Sequence, residues 1–163
     1  LKRGGTKAEA GRDYYLKNKE ISKGTQVMSR TLIVEDSNFF RQLLKETLLS
    51  KFPSMDILEA GSAEEAIKDI ETSPPDLVFV DIKLPGENGL ELTKRIKGKY
   101  PNITVIILTS YDLPEYREAA IQYQANHFLS KGSTTKENIL TLVSSILSGR
   151  KSGLNGQEPK GLA

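Results

Sequence analysis

Apolar residues recur along this chain in two alternating rhythms. Five short, nearly continuous apolar runs read as strands: "TLIVE" (31–35), "MDILEA" (55–60), "DLVFV" (76–80), "ITVIIL" (103–108) and "HFLS" (127–130). Between and after them the apolar positions fall three and four apart, which predicts helices over 37–51, 62–72, 88–98, 113–123 and 134–148. In the first helix the spaced positions are Phe40, Leu43, Leu44, Thr47 and Leu48; in the last they are Ile139, Leu142, Val143 and Ile146. Ser62 followed by Glu65 has the spacing of a capping box. Pro74, Pro75 and Pro101 punctuate the entries to the third and fourth strands.

Strands alternating with helices predict a parallel sheet with helices on both faces, an α/β fold. "LVFV" and "VIIL" are apolar at every position, as strands covered on both faces must be. Five such units in about 120 residues fit a doubly wound five-stranded parallel sheet of order 2-1-3-4-5, a flavodoxin-like (βα)5 arrangement, better than a six-stranded dinucleotide-binding sheet. A closed eight-fold barrel needs about twice the length.

Composition adds boundaries to this picture. Residues 1–29 carry seven basic and three acidic side chains, a local +4, with scattered glycines and little apolar periodicity. Residues 1–28 therefore read as a basic flexible arm or a vector-derived segment, 29–148 as the folded domain, and 149–163, rich in glycine, as a flexible C-terminal tail. The folded part is mildly acidic, with sixteen basic and eighteen acidic residues over 30–163. There is no cysteine, which removes disulfides and thiolate metal sites and favours a reducing, cytoplasmic setting. No apolar run is long enough to span a membrane.

In open α/β sheets, ligands bind beyond the carboxyl ends of the strands. At those ends stand Glu35 and Asp36, then Asp81, then Thr109 and Ser110, then Lys131. The second strand ends on Glu59, which suggests nothing by itself. Three carboxylates brought together repel unless a cation lies among them, and hard oxygen ligands at an open site suit Mg²⁺. A carboxylate at the centre of such a set can act as nucleophile and form an aspartyl phosphate, with a hydroxyl and an amine to hold phosphoryl oxygens. Bland readings stand beside this one. Asp36 or Ser37 can cap the first helix, Asp81 can be a turn acid before Pro85-Gly86, and His127, the only histidine, reads as a surface or edge residue.

Four segments together resemble the receiver domain of the two-component response-regulator family: "LIVEDS" (32–37), "LVFVDIKLPGENGLEL" (77–92), "VIILTS" (105–110) and "ANHFLSKGS" (125–133). The resemblance covers about residues 29–148. It implies a bacterial, cytoplasmic signalling switch that takes a phosphoryl group from a phospho-His of a histidine kinase or phosphotransfer domain. Asp81 would be the phosphoacceptor. Asp36 would bind Mg²⁺ with Asp81 and the backbone carbonyl of Lys83, and Glu35 would assist through water. Thr109 and Lys131 would hold phosphoryl oxygens, and Phe128 would be the switch aromatic responding to Thr109. The family's signalling surface corresponds to the fourth helix, fifth strand and fifth helix, about 112–148, which also offers a phosphorylation-dependent homodimer interface. Such a switch catalyses its own phosphorylation and slow dephosphorylation rather than a metabolic reaction. A DNA-binding output domain outside this chain is a further expected partner, since 149–163 is too short for one.

The chain departs from the family pattern at four places. Gly132 stands where Pro often follows the lysine, Gln124 where Gly commonly precedes the alanine, Phe128 where Tyr is commoner, and Glu35 where Asp is frequent. Two rival readings fare worse. A phosphohydrolase of the haloacid-dehalogenase type usually carries a second acid two residues after its nucleophile, where this chain has Lys83. A flavin-binding module needs a Ser/Thr/Gly-rich phosphate loop after the first strand, where "EDSNFF" is acidic.

Overall fold

The computed structural model describes residues 29–154, with side chains through 150. The segment 1–28 and residues 155–163 lie outside the described residues, and with them the expected basic arm and the end of the tail. The elements alternate in chain order: β1 Arg30–Val34, α1 Asn38–Lys51, β2 Asp56–Ala60, α2 Ala63–Thr72, β3 Leu77–Val80, α3 Gly89–Lys99, β4 Thr104–Thr109, α4 Pro114–Gln122, β5 His127–Ser130 and α5 Lys136–Leu154. The five strands form one parallel sheet in the order β2-β1-β3-β4-β5. This is the flavodoxin-like order expected from the sequence.

Strand periodicity divides the core. On one face Leu32, Val34, Val78, Val80 and Val105 pack against Ala66 and Ile70 of α2 and Leu92 and Ile96 of α3. On the other, Ile33, Phe79, Ile106 and Leu108 pack against Leu44 and Leu48 of α1 and Ile139 and Val143 of α5. Ile107, on the first face, meets Ala120 of α4. Adjacent residues of β1, β3 and β4 thus point to opposite cores, which is why these runs are apolar without alternation.

Local chemistry sets the helix starts. Ser37, Ser62 and Asn88 cap α1, α2 and α3 by accepting backbone N–H bonds. Glu65 turns back as its spacing predicts, but its carboxylate accepts from the N–H of Gly61 rather than that of Ser62. Pro114 opens α4, whose N-cap Leu113 offers no side-chain bond. Thr135 and Asn138 cap α5 reciprocally through three hydrogen bonds of 2.8–3.2 Å.

The last helix is longer than the sequence pattern indicates. It continues past residue 148 to Leu154, across Gly149, where the tail was expected to begin. Arg150 accounts for this. Its guanidinium donates to the Asp76 carboxylate (3.2 Å) and carbonyl (2.6 Å), the Asn102 carbonyl (3.1 Å) and the Thr104 hydroxyl (3.0 Å). Four acceptors at the amino-terminal edge of the sheet hold the helix where glycine alone would let it fray.

Gln124 lies between α4 and β5 at φ 65°. A side chain in the left-handed region costs about 1–2 kcal/mol, which glycine avoids while losing more entropy on folding. Gln124 is exposed, so no packing is lost with its side chain. Gln124→Gly should therefore stabilise the fold by roughly 0.5–1 kcal/mol, read as a higher denaturation midpoint at constant m-value. A lower midpoint would mean that the side chain does more than occupy the turn.

Candidate functional site

Parallel register brings four carboxyl strand ends to one edge. Val34 pairs with Val80, Val80 with Ile107, and Thr109 with Ser130. The residues just beyond these pairs face one another across the edge. Two backbone bonds fix the acidic ones: the N–H of Glu35 donates to the Ala60 carbonyl and that of Asp81 to the Val34 carbonyl, each at 3.0 Å. Glu35 and Asp81 are buried at 3% and 7% exposure, while Asp36 is exposed. One carboxylate oxygen from each of the three lies within 4.8 Å of the others. That spacing can hold a single cation.

Lys131 reaches into this group from the β5–α5 loop. Its ammonium donates to Glu35 Oε2 at 2.6 Å and to Asp81 Oδ2 at 3.2 Å. Its own N–H bonds the Thr109 carbonyl at 2.8 Å, tying the loop to the end of β4. The Lys131–Gly132 peptide is trans, and glycine in place of the family's frequent proline leaves this reach intact. The second oxygen of Glu35 accepts from the N–H of Ser37 at 3.0 Å. Asp81 Oδ1 differs: it is buried and, among the described residues, has no hydrogen-bond partner. Burial pushes the Glu35 carboxyl above the usual carboxylate range, and the Asp81 charge adds to the rise; the bonds from Lys131 and Ser37 act against it.

A buried anionic oxygen without a partner is costly. Three converging carboxylates, with hard oxygen donors and no soft ligand, fit a divalent cation of the Mg²⁺ type. Both observations make the residues present suitable for that ion. The cleft against Glu35 and Asp81, walled by Phe40, Leu44, Phe79 and Leu108, has a volume of about 10 Å³. That is room for about one water-sized group.

The remaining expected residues form the rim. Thr109 is fully buried at the end of β4, and its hydroxyl accepts from the N–H of Tyr111 at 3.3 Å. Lys83 is exposed, with its ammonium 4.9 Å from the centre of the Tyr111 ring. Phe128 is half-buried against the Ile82, Leu90, Ile107 and Ala120 cluster. The Arg117 guanidinium lies 4.6 Å from its ring and is held by Asp112 at 2.5 and 2.9 Å. Ser37 caps α1, so the bland reading holds for that residue while Asp36 stays exposed beside the cluster.

Several contributors escape the sequence pattern. Arg41 of α1 donates to the Glu35 carbonyl at 2.6 Å and to Glu59 at 3.3 Å, and Lys45 also bonds Glu59 at 2.9 Å. Glu59, with nothing to mark it in the sequence, is thus the anchor that fixes α1 over β2. Gly89 is the second: a Cβ there would sit 2.0 Å from the Asp81 carbonyl oxygen. Phe40 is the third, with the Lys131 ammonium 3.9 Å from its ring centre.

Residues 31–144 match the family model of the response regulator receiver domain. The chain belongs to the response regulator receiver family. It is 32% identical over 118 residues to the chemotaxis protein CheY of Halobacterium salinarum, covering 72% of this chain and 96% of that protein. It is 33% identical over 105 residues to the DNA-binding transcriptional activator DevR/DosR of Mycobacterium tuberculosis, covering 64% of this chain and 48% of that one. Other curated relatives are likewise matched over part of their length, 26% in a cyclic di-GMP phosphodiesterase of Thermotoga maritima. Among solved structures, a LuxR-family DNA-binding response regulator from Staphylococcus aureus superposes with a TM-score of 0.68 at 28% identity, over 74% of this chain and 99% of that one. A CheY-like receiver from Methanospirillum hungatei superposes at 0.71 and 24% identity, over 78% and 99%, a likeness of fold. The receiver is a signalling module of two-component systems, and none of its described helices is long and apolar enough to cross a membrane.

Proposed function

We propose that this receiver accepts a phosphoryl group on Asp81 from the phospho-His of a histidine kinase or phosphotransfer domain. The observation that carries this reading is Asp81 Oδ1, a buried carboxylate oxygen without a partner beside a lysine that holds its twin. A carboxylate oxygen of Asp81 attacks phosphorus, the phosphorus–nitrogen bond to the donor histidine breaks, and its electron pair stays on the imidazole nitrogen. Lys131, already 3.2 Å from Oδ2, stays close enough to pair with a phosphoryl oxygen. Thr109 supplies a hydroxyl from the end of β4. Asp36, Asp81 and the Lys83 carbonyl would hold Mg²⁺, with Glu35 assisting. The ion, when bound, neutralises charge on the phosphoryl oxygens.

The output is a change of shape. Phosphorylation biases the α4–β5–α5 face, with Thr109 and Phe128 as the switch pair, toward a second packing. That face serves a partner or a phosphorylation-dependent homodimer. The similarity to DevR/DosR supports a DNA-binding output domain as one thing such a receiver controls.

The test is intact mass after incubation with acetyl phosphate and Mg²⁺, with a chelator control. One phosphoryl increment that needs the ion is expected. No increment together with no response to beryllofluoride would overturn the reading; a beryllofluoride response alone would mean that the site accepts only from its protein donor. The rim yields a second prediction. Lys83 and Tyr111 together screen Asp81 from water, and an exposed cation–π contact is worth about 0.5–1 kcal/mol. Lys83→Ala should therefore speed loss of the phosphoryl group about twofold to fivefold while leaving its uptake intact. An unchanged lifetime would remove Lys83 from this role.

A further inference from the structure

We propose that Phe40 is a positioning residue: the face of its ring holds the Lys131 ammonium between Glu35 and Asp81, so that the lysine acts as an internal cation competing with the divalent ion for the same two carboxylates. The inference rests on the reading of the site given above and assigns a role to a residue that reading does not use.

The geometry closes around one nitrogen. Lys131 Nζ has three neighbours: Glu35 Oε2 at 2.6 Å, Asp81 Oδ2 at 3.2 Å and the Phe40 ring centre at 3.9 Å. The lysine side chain is only 14% exposed. An ammonium so far out of water needs all its directions filled, and a ring face within about 6 Å attracts it through the ring quadrupole. The attraction is greatest where the cation is desolvated, as here. Phe40 is itself fixed. It sits in the first turn of α1, where its N–H donates to the Ser37 cap at 3.3 Å, and its body packs against the core beneath α1 and α5. The same ring walls the cleft against Glu35 and Asp81. Phe39, its neighbour in the chain, is 80% exposed and meets none of these groups.

Two consequences pull in opposite directions. Loosening the ammonium frees Glu35 and Asp81 for a divalent ion, so the ion binds more tightly. The same loosening deprives a phosphoryl group on Asp81 of a lysine already in place, so transfer slows. A residue that merely fills the core gives neither split, because disrupting the site weakens both.

The experiment measures Mg²⁺ affinity by calorimetry or amide chemical shifts without a phosphodonor, and the rate of phosphoryl uptake from acetyl phosphate at saturating Mg²⁺. Phe40→Leu keeps an apolar side chain and removes the ring. It should tighten Mg²⁺ binding about threefold and slow saturated uptake about threefold to tenfold. Phe40→Tyr should stay close to wild type in both, and Phe39→Leu should change neither. If Phe40→Leu does not fold, a ring-fluorinated phenylalanine at position 40 keeps the shape and weakens the quadrupole, and the same split is expected at smaller amplitude. Weaker Mg²⁺ binding in the folded variant, or both quantities unchanged, would overturn the positioning role alone. A wild type that binds no Mg²⁺ would overturn this role and the reading of the site together.

Discussion

Asp81→Asn is expected to abolish phosphoryl uptake and at the same time to raise the stability of the ion-free protein by about 1–2 kcal/mol. The first half follows from the chemistry: an amide oxygen is no nucleophile toward phosphorus at neutral pH. The second follows from the charge balance. Glu35 and Asp81 are buried acids that share one partly buried lysine. Replacing Asp81 leaves a balanced Glu35–Lys131 pair, bonded at 2.6 Å. Truncating one partner of a buried ion pair normally strands the other, but here Lys131 keeps a carboxylate. The amide oxygen can still accept from Lys131, and the amide nitrogen puts a neutral donor where the buried Oδ1 has no partner among the described residues. The trade is that of a functional site held at a cost to stability. Denaturant unfolding in chelator, alongside intact mass after acetyl phosphate, checks both halves. A destabilised variant would mean that Asp81 is structural; an increment that survives the substitution would move the phosphoacceptor elsewhere.

The sequence exposes which residues stand at the strand ends, but not the contacts between side chains of different units. The strand order, and hence the meeting of Glu35, Asp36, Asp81, Thr109 and Lys131, follows from the alternation of apolar rhythms, because strand ends in a doubly wound sheet have fixed neighbours. What the alternation cannot carry is pairing between side chains of different units. Arg41 and Phe40 occupy ordinary positions of an amphipathic helix, and only the packing of α1 over β1 and β2 sends one to the Glu35 carbonyl and the other to Lys131. Glu59 has no motif, since its role is to receive Arg41 and Lys45 from another element. The extent of α5 is hidden for the same reason: Gly149 signals a stop, and the acceptors that override it lie on other segments, at Asp76, Asn102 and Thr104. Gln124 was visible as a departure from the family pattern, but the cost of that departure appears only as a positive φ.

Gly89, in the first turn of α3, is a condition of the site. It begins α3, its N–H bonds the Ile82 carbonyl at 2.9 Å, and the buried Thr93 hydroxyl bonds its carbonyl at 2.7 Å. An added Cβ would lie 2.0 Å from the Asp81 carbonyl oxygen and 2.8 Å from Val80 Cγ1. The carbonyl cannot simply retreat, because the Asp81 N–H is bonded to β1 at 3.0 Å. Gly89→Ala gains under about 1 kcal/mol of helix preference, against a forced backbone shift worth about 1–3 kcal/mol or more. A net loss of about 2 kcal/mol is expected. The shift falls on the backbone of Asp81 itself, and a misplacement of about 1 Å at a reacting group can cost about a hundredfold in rate. Phosphoryl uptake should therefore fall by more than the fraction unfolded explains. Gly98, in the last turn of the same helix, is the control: nothing lies within 4 Å of its Cβ position. Gly98→Ala should stabilise by about 0.5–1 kcal/mol and leave uptake unchanged. If the two substitutions gave the same change in midpoint and in rate, the close approach of α3 to Asp81 would have no part in holding the acid in place.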